Sequence, residues 1–324
     1  MKKILIIHTG GTISMLENKE TKEVNFFGKS HPLLNELNKL DINAKIDEHI
    51  QFDLPSPHIT PQHMFLLSQK VSAELPFYDG IVITHGTDTL EETAYFLHLT
   101  VKTDKPIIIT GAMRSSNEIG SDALYNLICS VRVAMDQKAA NKGVLVVMND
   151  EIHSAENVTK TSTSNIATFQ SPQFGPLGII TKNAIFFHRT ILQQPIFPVN
   201  SISKHVILLK AYAGMDCRLL AAVQEIKPDG IVIEGFGQGN LPESVVPALQ
   251  AFIRASIPVI LVSRSFTGTV QPTYSYAGGG KQLKEMGVIF AQGMTGQKAR
   301  IKLLIALEHT TNLHELESIF ESFA

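Results

Sequence analysis

A threonine attacks a carbonyl carbon only when a neighbouring group takes its proton. Three stretches of this chain place threonines beside groups able to do so. Thr12 closes the turn Thr9-Gly10-Gly11-Thr12, Thr87 and Asp88 close His85-Gly86-Thr87-Asp88, and Lys160 stands in a hydroxyl-rich run from Thr159 to Thr168. Hydroxyl, carboxylate and amine are the parts of an acyl-transfer centre, and main-chain N–H groups near Thr12 or Thr87 can serve as donors to a developing oxyanion. Each part taken alone has a plainer reading. Asp and Thr ahead of a helix are usually caps, and a lysine among serines and threonines is usually solvated.

Position separates the two readings. Thr12 follows Ile4 to Ile7, an apolar run with no polar residue, which is the pattern of a strand buried on both faces. Thr87 and Asp88 follow Gly80-Ile81-Val82-Ile83-Thr84, which also reads as a buried strand. Parallel strands bring their carboxyl ends to one edge, where open α/β sheets bind ligands. Thr89 and Glu92 have the spacing of a capping box opening a helix through Leu99, which would leave Thr87 and Asp88 free to face a cleft. Gly86 permits close backbone approach by a ligand. Lys160, desolvated beside Thr87 and Asp88, is then the candidate base, while His8 and His85 read as packed, hydrogen-bonded strand ends.

The remaining chain predicts the frame. Ser14 to Pro32 is a polar segment, expected as a mobile surface loop placed to act as a lid, and His31 to Leu40 as a helix. Ala44 to Ile50 follows as a strand, then the loop Asp53-Leu54-Pro55-Ser56-Pro57-His58, and Thr60-Pro61 starts a helix running from Met64 to Leu75. Pro106 to Thr110 is a strand, Ser121 to Gln137 a helix and Gly143 to Met148 a strand. The prolines of Gln193 to Ser203 break the alternation. A second series resumes with strands at Val206 to Lys210, Gly230 to Glu234 and Pro258 to Ser263, and ends with helices at Gln297 to Glu308 and Leu313 to Phe320. The expectation is two α/β domains with parallel-rich sheets flanked by helices: a larger flavodoxin-like domain over 1–190, a linker over 191–205 and a smaller Rossmann-like domain over 206–324.

Composition narrows the partners. The 324 residues carry 28 Lys plus Arg against 30 Asp plus Glu, so no basic footprint points to nucleic acid or an anionic membrane. Met1-Lys2-Lys3 is not followed by an apolar stretch of secretory or spanning length. Cys129 and Cys217 are expected as buried free thiols. Gly235 to Gly239 lacks the dinucleotide spacing, Asn240 with Glu243 reads as a helix start, and Gly278-Gly279-Gly280-Lys281 as a flexible turn. The histidines offer no zinc spacing, so no metal is expected.

Five segments together resemble the bacterial-type L-asparaginase (asparaginase/glutaminase) family, in that family's order and over nearly the whole chain: Thr9-Gly10-Gly11-Thr12-Ile13, Ile83-Thr84-His85-Gly86-Thr87-Asp88-Thr89, Gly111-Ala112-Met113-Arg114, Val158-Thr159-Lys160-Thr161 and Gln297-Lys298-Ala299-Arg300. The resemblance implies an amidohydrolase that converts the side-chain amide of L-asparagine to aspartate and ammonia without metal or organic cofactor. It implies Thr12 as nucleophile and Thr87, Asp88 and Lys160 as a second catalytic group. Ser56 and Asp88 would hold the α-carboxylate and α-amino groups, with Gly11, Gly86 and Ala112 lining the substrate and Asn240 supplied by a neighbouring subunit of a homo-oligomer, a dimer or tetramer.

The chain departs from the family pattern in three places. The activating tyrosine usual after the first motif is absent, since the first tyrosine is Tyr78 and Asn25, Phe26 or Phe27 stands where it would be. The glutamate that orients it is missing from Tyr274-Ser275-Tyr276-Ala277-Gly278, and Pro57 follows Ser56 where a polar residue is usual. Leu75 and Thr103 match the disulfide positions of secreted members, which implies a cytoplasmic setting. A broader glutaminase-asparaginase and an amino-acid-binding protein with weak turnover are the alternative readings, and the order in which Thr12 and Thr87 act stays open.

Overall fold

The opening apolar run forms strand β1 (Lys2–His8), and Ile4, Ile6 and Ile7 in it have no exposed surface, as a central strand covered on both faces requires. The structure, a computed structural model, describes residues 1–18, 21, 24–26, 33, 43–191 and 195–321. They divide into two units, Met1–Pro198 and Val199–Ala324.

In the first unit a 3-10 turn (Thr12–Ser14) leads from β1 into an antiparallel ribbon of β2 (Met15–Glu17) and β3 (Val24–Phe26), within the segment expected as a loop. The helix expected over His31 to Leu40 lies outside the described residues, apart from Leu33. Then come β4 (Ala44–Ile50), α1 (Pro61–Glu74), β5 (Gly80–Thr84), α2 (Leu90–Thr100), β6 (Ile107–Thr110), α3 (Ala123–Met135) and β7 (Val144–Met148), the predicted alternation. The start of α1 is capped as expected, with Thr60 accepting from the His63 N–H while the His63 ring accepts from the Thr60 N–H. Beyond β7 the pattern changes. β8 (Glu151–Ser154) returns antiparallel through Asn149 and Asp150, both at positive φ, the left-handed pair that a tight hairpin turn needs. A small ribbon of β9 (Thr159–Lys160) and β10 (Phe169–Gln170) follows, and β11 (Gly178–Ile180) and β12 (Ile185–Phe187) extend the sheet antiparallel. The described order is β12-β11-β8-β7-β6-β5-β1-β4, a mixed sheet whose parallel part has the flavodoxin arrangement. Its two faces are packed separately: Ile6, Val82 and Ile108 meet Leu127 and Val131 of α3, while Ile7, Ile83 and Ile109 meet Leu67 and Val71 of α1 and Leu97 of α2.

The second unit runs β13 (Val206–Lys210), α4 (Cys217–Ile226), β14 (Gly230–Gly235), α5 (Val246–Arg254), β15 (Val259–Ser263), α6 (Gly280–Glu285), β16 (Ile289–Phe290), α7 (Gly296–Leu307) and α8 (Leu313–Glu321). The four described strands are all parallel and lie in sequence order. Three expectations are corrected here. Cys129 is buried but Cys217, at the first position of α4, is exposed. Gly278 to Gly280 is a packed turn, since a Cβ on Gly279 would lie 2.5 Å from the Tyr274 carbonyl oxygen. Asn240 does not cap the segment that follows it: its Oδ1 accepts from the Gly280 N–H, the first of α6, at 3.2 Å, and Pro242 precedes the 3-10 turn Glu243–Val245 that leads into α5.

Candidate active site

Strands β4, β1, β5 and β6 end side by side. His8 lies opposite both Ile50 and Thr84, and Thr84 opposite Thr110. The chain leaves β1 for β4 on one side and then crosses to β5 on the other, so the strand order reverses at β1. The crevice beyond such a reversal is the binding position of an open α/β sheet. The loops there carry Ser56 after β4, Thr12 after β1, Thr87 and Asp88 after β5, and Ala112 after β6.

Backbone contact locks these loops together. The Thr9 N–H and hydroxyl both donate to the Thr84 carbonyl, at 3.1 and 2.9 Å, and the Leu54 N–H donates to the Thr9 carbonyl at 3.2 Å. Gly11 has φ 84° and ψ 177°, a region open essentially to glycine alone. A Cβ built on it would lie 2.3 Å from the Gly86 Cα, so the two turns touch backbone to backbone. A Cβ on Gly86 would in turn lie 2.7 Å from Ser56 Oγ.

Lys160 arrives from β9, outside the main sheet. Its Nζ lies 2.9 Å from Thr87 Oγ1 and 2.7 Å from Asp88 Oδ1. The Lys160 side chain is 16% exposed and that of Asp88 58%, so the amine is largely withdrawn from solvent while the carboxylate keeps one side open to a ligand. Thr87 is buried and Thr12 half-buried. No hydrogen bond engages the Thr12 hydroxyl among the described residues. Ser56 is buried, and its Oγ accepts from the Asp88 N–H at 3.1 Å, which leaves the hydroxyl proton to donate elsewhere.

The capping box expected of Thr89 and Glu92 does not form. Thr89 stands at the N-cap of α2, but its hydroxyl donates to the Ser56 carbonyl at 2.8 Å, an acceptor brought from another loop. Thr87 and Asp88 face the cleft because Lys160 and Ser56 hold them, not because Thr89 relieves them of a cap. His85 is packed as expected. One ring nitrogen, Nδ1, donates to the Gly86 carbonyl at 2.8 Å, so Nε2 accepts from the Thr93 hydroxyl at 2.9 Å. Burial holds this imidazole neutral, with its pKa lowered to about 4. His8 Nδ1 pairs with the Thr84 hydroxyl at 2.8 Å.

Two residues that sequence reading passed over shape the loop around Ala112. Asp122 accepts from the Met113 and Arg114 N–H groups, and Asn126 donates to the Gly111 carbonyl while accepting from the Asn149 N–H. Their signal was the polar pair inside an otherwise apolar helical pattern. Asn240 belongs to the second unit. The side chains of Asn25 and Phe26, and all of Phe27, lie outside the described residues. Among the described residues no group of three or more His, Cys, Asp or Glu is arranged to hold a metal, and no helix is long and apolar enough to cross a membrane.

A hydroxyl hydrogen-bonded to an amine, with a carboxylate fixing that amine, is an arrangement for moving a proton during attack on a carbonyl carbon. Comparison with known proteins agrees in kind. Residues 3–193 match the family model described as "Asparaginase, N-terminal" and residues 205–320 the "Glutaminase/Asparaginase C-terminal domain". The chain is 35% identical to a probable L-asparaginase of Deinococcus radiodurans, over 99% of this chain and 97% of that protein. It is 34% identical to an L-asparaginase of Bacillus licheniformis, over 94% and 95%. A glutaminase-asparaginase of Pseudomonas fluorescens is 32% identical over 99% and 90%. With both halves matched and relatives aligned nearly end to end, the chain belongs to the asparaginase family.

Proposed function

We propose that the chain hydrolyses the side-chain amide of L-asparagine to L-aspartate and ammonia, with Thr12 as nucleophile. The observation that carries this is the Lys160 amine bridging Thr87 Oγ1 and Asp88 Oδ1 at the edge where Thr12 also emerges. In the first half-reaction a bond forms from Thr12 Oγ to the amide carbon and the carbon–nitrogen bond breaks. The hydroxyl proton leaves with the nitrogen as ammonia. Water then cleaves the ester and restores the hydroxyl. Lys160, Thr87 and Asp88 transfer protons in both halves, and the N–H groups of the glycine turns stabilise the oxyanion. Ser56 and Asp88 hold the α-carboxylate and α-amino groups, beside Gly11, Gly86 and Ala112. A second reading has an observation of its own: Lys160 bonds the Thr87 hydroxyl, so Thr87 attacks first.

Ammonia release by Thr12→Ala and Thr87→Ala, with mass spectrometry of the trapped acyl adduct, separates the two. The adduct is expected on Thr12, and Thr12→Ala is expected to abolish it; an adduct on Thr87 overturns the assignment. Aspartate binding without ammonia release would instead indicate a binding protein. The ratio of kcat/KM for asparagine and glutamine measures breadth, which the Pro57 substitution beside Ser56 makes worth testing. The resemblance further supports a homo-oligomer, dimer or tetramer, in which a neighbouring copy supplies Asn240. The two free cysteines, and Leu75 and Thr103 at the disulfide positions, support a cytoplasmic setting.

A further inference from the structure

Strand β9, which carries Lys160, is two residues long and among the described residues pairs only with β10, through Lys160 opposite Phe169 and Thr159 opposite Gln170. That ribbon does not by itself fix the distance from Lys160 to the turn after β5. Glu91 supplies the missing tie. It is the second residue of α2, the helix that begins directly after Thr87, Asp88 and Thr89. Its side chain turns away from its own helix end: Oε1 accepts from the Lys160 N–H at 3.3 Å and from the Thr159 hydroxyl at 3.1 Å. The residue is 5% exposed, and its other oxygen is buried with no hydrogen-bond partner among the described residues.

An acidic residue in a first helical turn is ordinarily explained by the helix dipole, which a solvated carboxylate serves equally well. Burial with one oxygen unsatisfied makes the fold less stable than a well-packed apolar residue would. A local rule broken in this way is expected where function requires it. We propose that Glu91 is a positioning residue for Lys160: by holding the Thr159 hydroxyl and the Lys160 main-chain N–H against the start of α2, it sets the separation of the Lys160 amine from Thr87 Oγ1 and Asp88 Oδ1. The lysine and its two partners are thereby referenced to a single rigid element. This inference rests on the reading of Lys160 as part of an amidohydrolase centre.

The test compares wild type, Glu91→Ala, Glu91→Gln, Lys160→Ala and the Glu91→Ala/Lys160→Ala double variant by ammonia release from asparagine. Lysine acylation mapped by peptide mass spectrometry is the second readout. Glu91→Ala is expected to lower kcat on the order of 10²-fold, the cost of a misplacement of about 1 Å, with KM within about twofold of wild type. Glu91→Gln keeps an acceptor oxygen and recovers most of the loss. The double variant is no slower than Lys160→Ala alone, because Glu91 acts only through that lysine. Lys160 is acylated faster in Glu91→Ala than in wild type.

A folded Glu91→Ala with kcat within about threefold of wild type, or additive losses in the double variant, overturns the proposal. If Glu91→Ala does not fold, Thr159→Val, which removes one of the two donors to Glu91, carries the same cycle with Lys160→Ala. A wild type that releases no ammonia, with Lys160 acylation still accelerated in Glu91→Ala, overturns the assigned activity and supports the positioning role. An active wild type with unchanged acylation and kcat in Glu91→Ala does the reverse.

Discussion

Replacing Gly11 by alanine tests whether the two turns proposed to carry the catalytic threonines depend on their mutual contact. The added Cβ would lie 2.3 Å from the Gly86 Cα and 2.4 Å from its nitrogen, against an ordinary contact of 3.4–4 Å. Both neighbours are main-chain atoms, so no side chain can swing aside, and the turns must part by about 1 Å. Gly11 also holds φ 84° and ψ 177°, a conformation whose cost to an alanine is about 1–3 kcal/mol. A loss of that size in a unit this large lowers Tm by several degrees. Thr12 follows the altered residue directly while Thr87 follows Gly86, so the same displacement separates the proposed nucleophile from the proposed proton-transfer group. A misplacement of about 1 Å corresponds to roughly 10²-fold in kcat, or about 2.7 kcal/mol of barrier. Ammonia release at a temperature where circular dichroism shows the variant folded is the assay. Turnover within about threefold of wild type under those conditions would refute the reasoning, because the contact would then have no bearing on catalysis.

Ser56→Ala is expected to leave the Asp88 N–H without its acceptor, a loss of about 1–3 kcal/mol, and so to raise KM for asparagine and weaken inhibition by aspartate; unchanged aspartate affinity would remove Ser56 from the pocket. Stability should depend on pH through His85. Its folded pKa of about 4 lies below the ordinary 6.5, so between those values the unfolded chain binds a proton that the folded chain refuses. The His85 contribution is therefore complete above pH 6.5 and declines as pH falls toward 4, by about 3 kcal/mol in total. Urea melts at pH 7 and pH 4.5 of wild type and His85→Gln check this, and an equal pH dependence in the two proteins would contradict it.

The parallel strands were legible because burial on both faces leaves a run such as Ile4 to Ile7 or Gly80 to Ile83 with no polar residue at all. The convergence of the candidate site was legible for a related reason: glycine turns at the ends of such strands must meet at one edge, and Thr12, Thr87 and Asp88 stand on them. Contacts between distant segments were not. Thr89 carries a capping signal, but the Ser56 carbonyl, 33 residues earlier, takes its hydroxyl. Glu91 reads as an ordinary first-turn acid, and nothing in its neighbourhood announces a bond to Lys160. Asn240 likewise reads as the cap of the segment after it, but the N–H it takes is that of Gly280, 40 residues on at the start of α6. The antiparallel strands β8, β11 and β12 are short, and β11 and β12 alternate exposed with buried residues, so they lacked the continuous apolar signature.

Ser56 gives one hydroxyl to the Asp88 N–H and one carbonyl to the Thr89 hydroxyl, so the loop after β4 and the start of α2 are a single mechanical part. For anyone wishing to retarget the amide preference, the consequence is practical. Grafting residues 53–58 from a relative with different selectivity also moves the turn that bears Thr87 and Asp88, and turnover changes with taste. Libraries that exchange 53–58 together with 85–92 keep that part intact; libraries confined to either segment sample mostly broken versions of it.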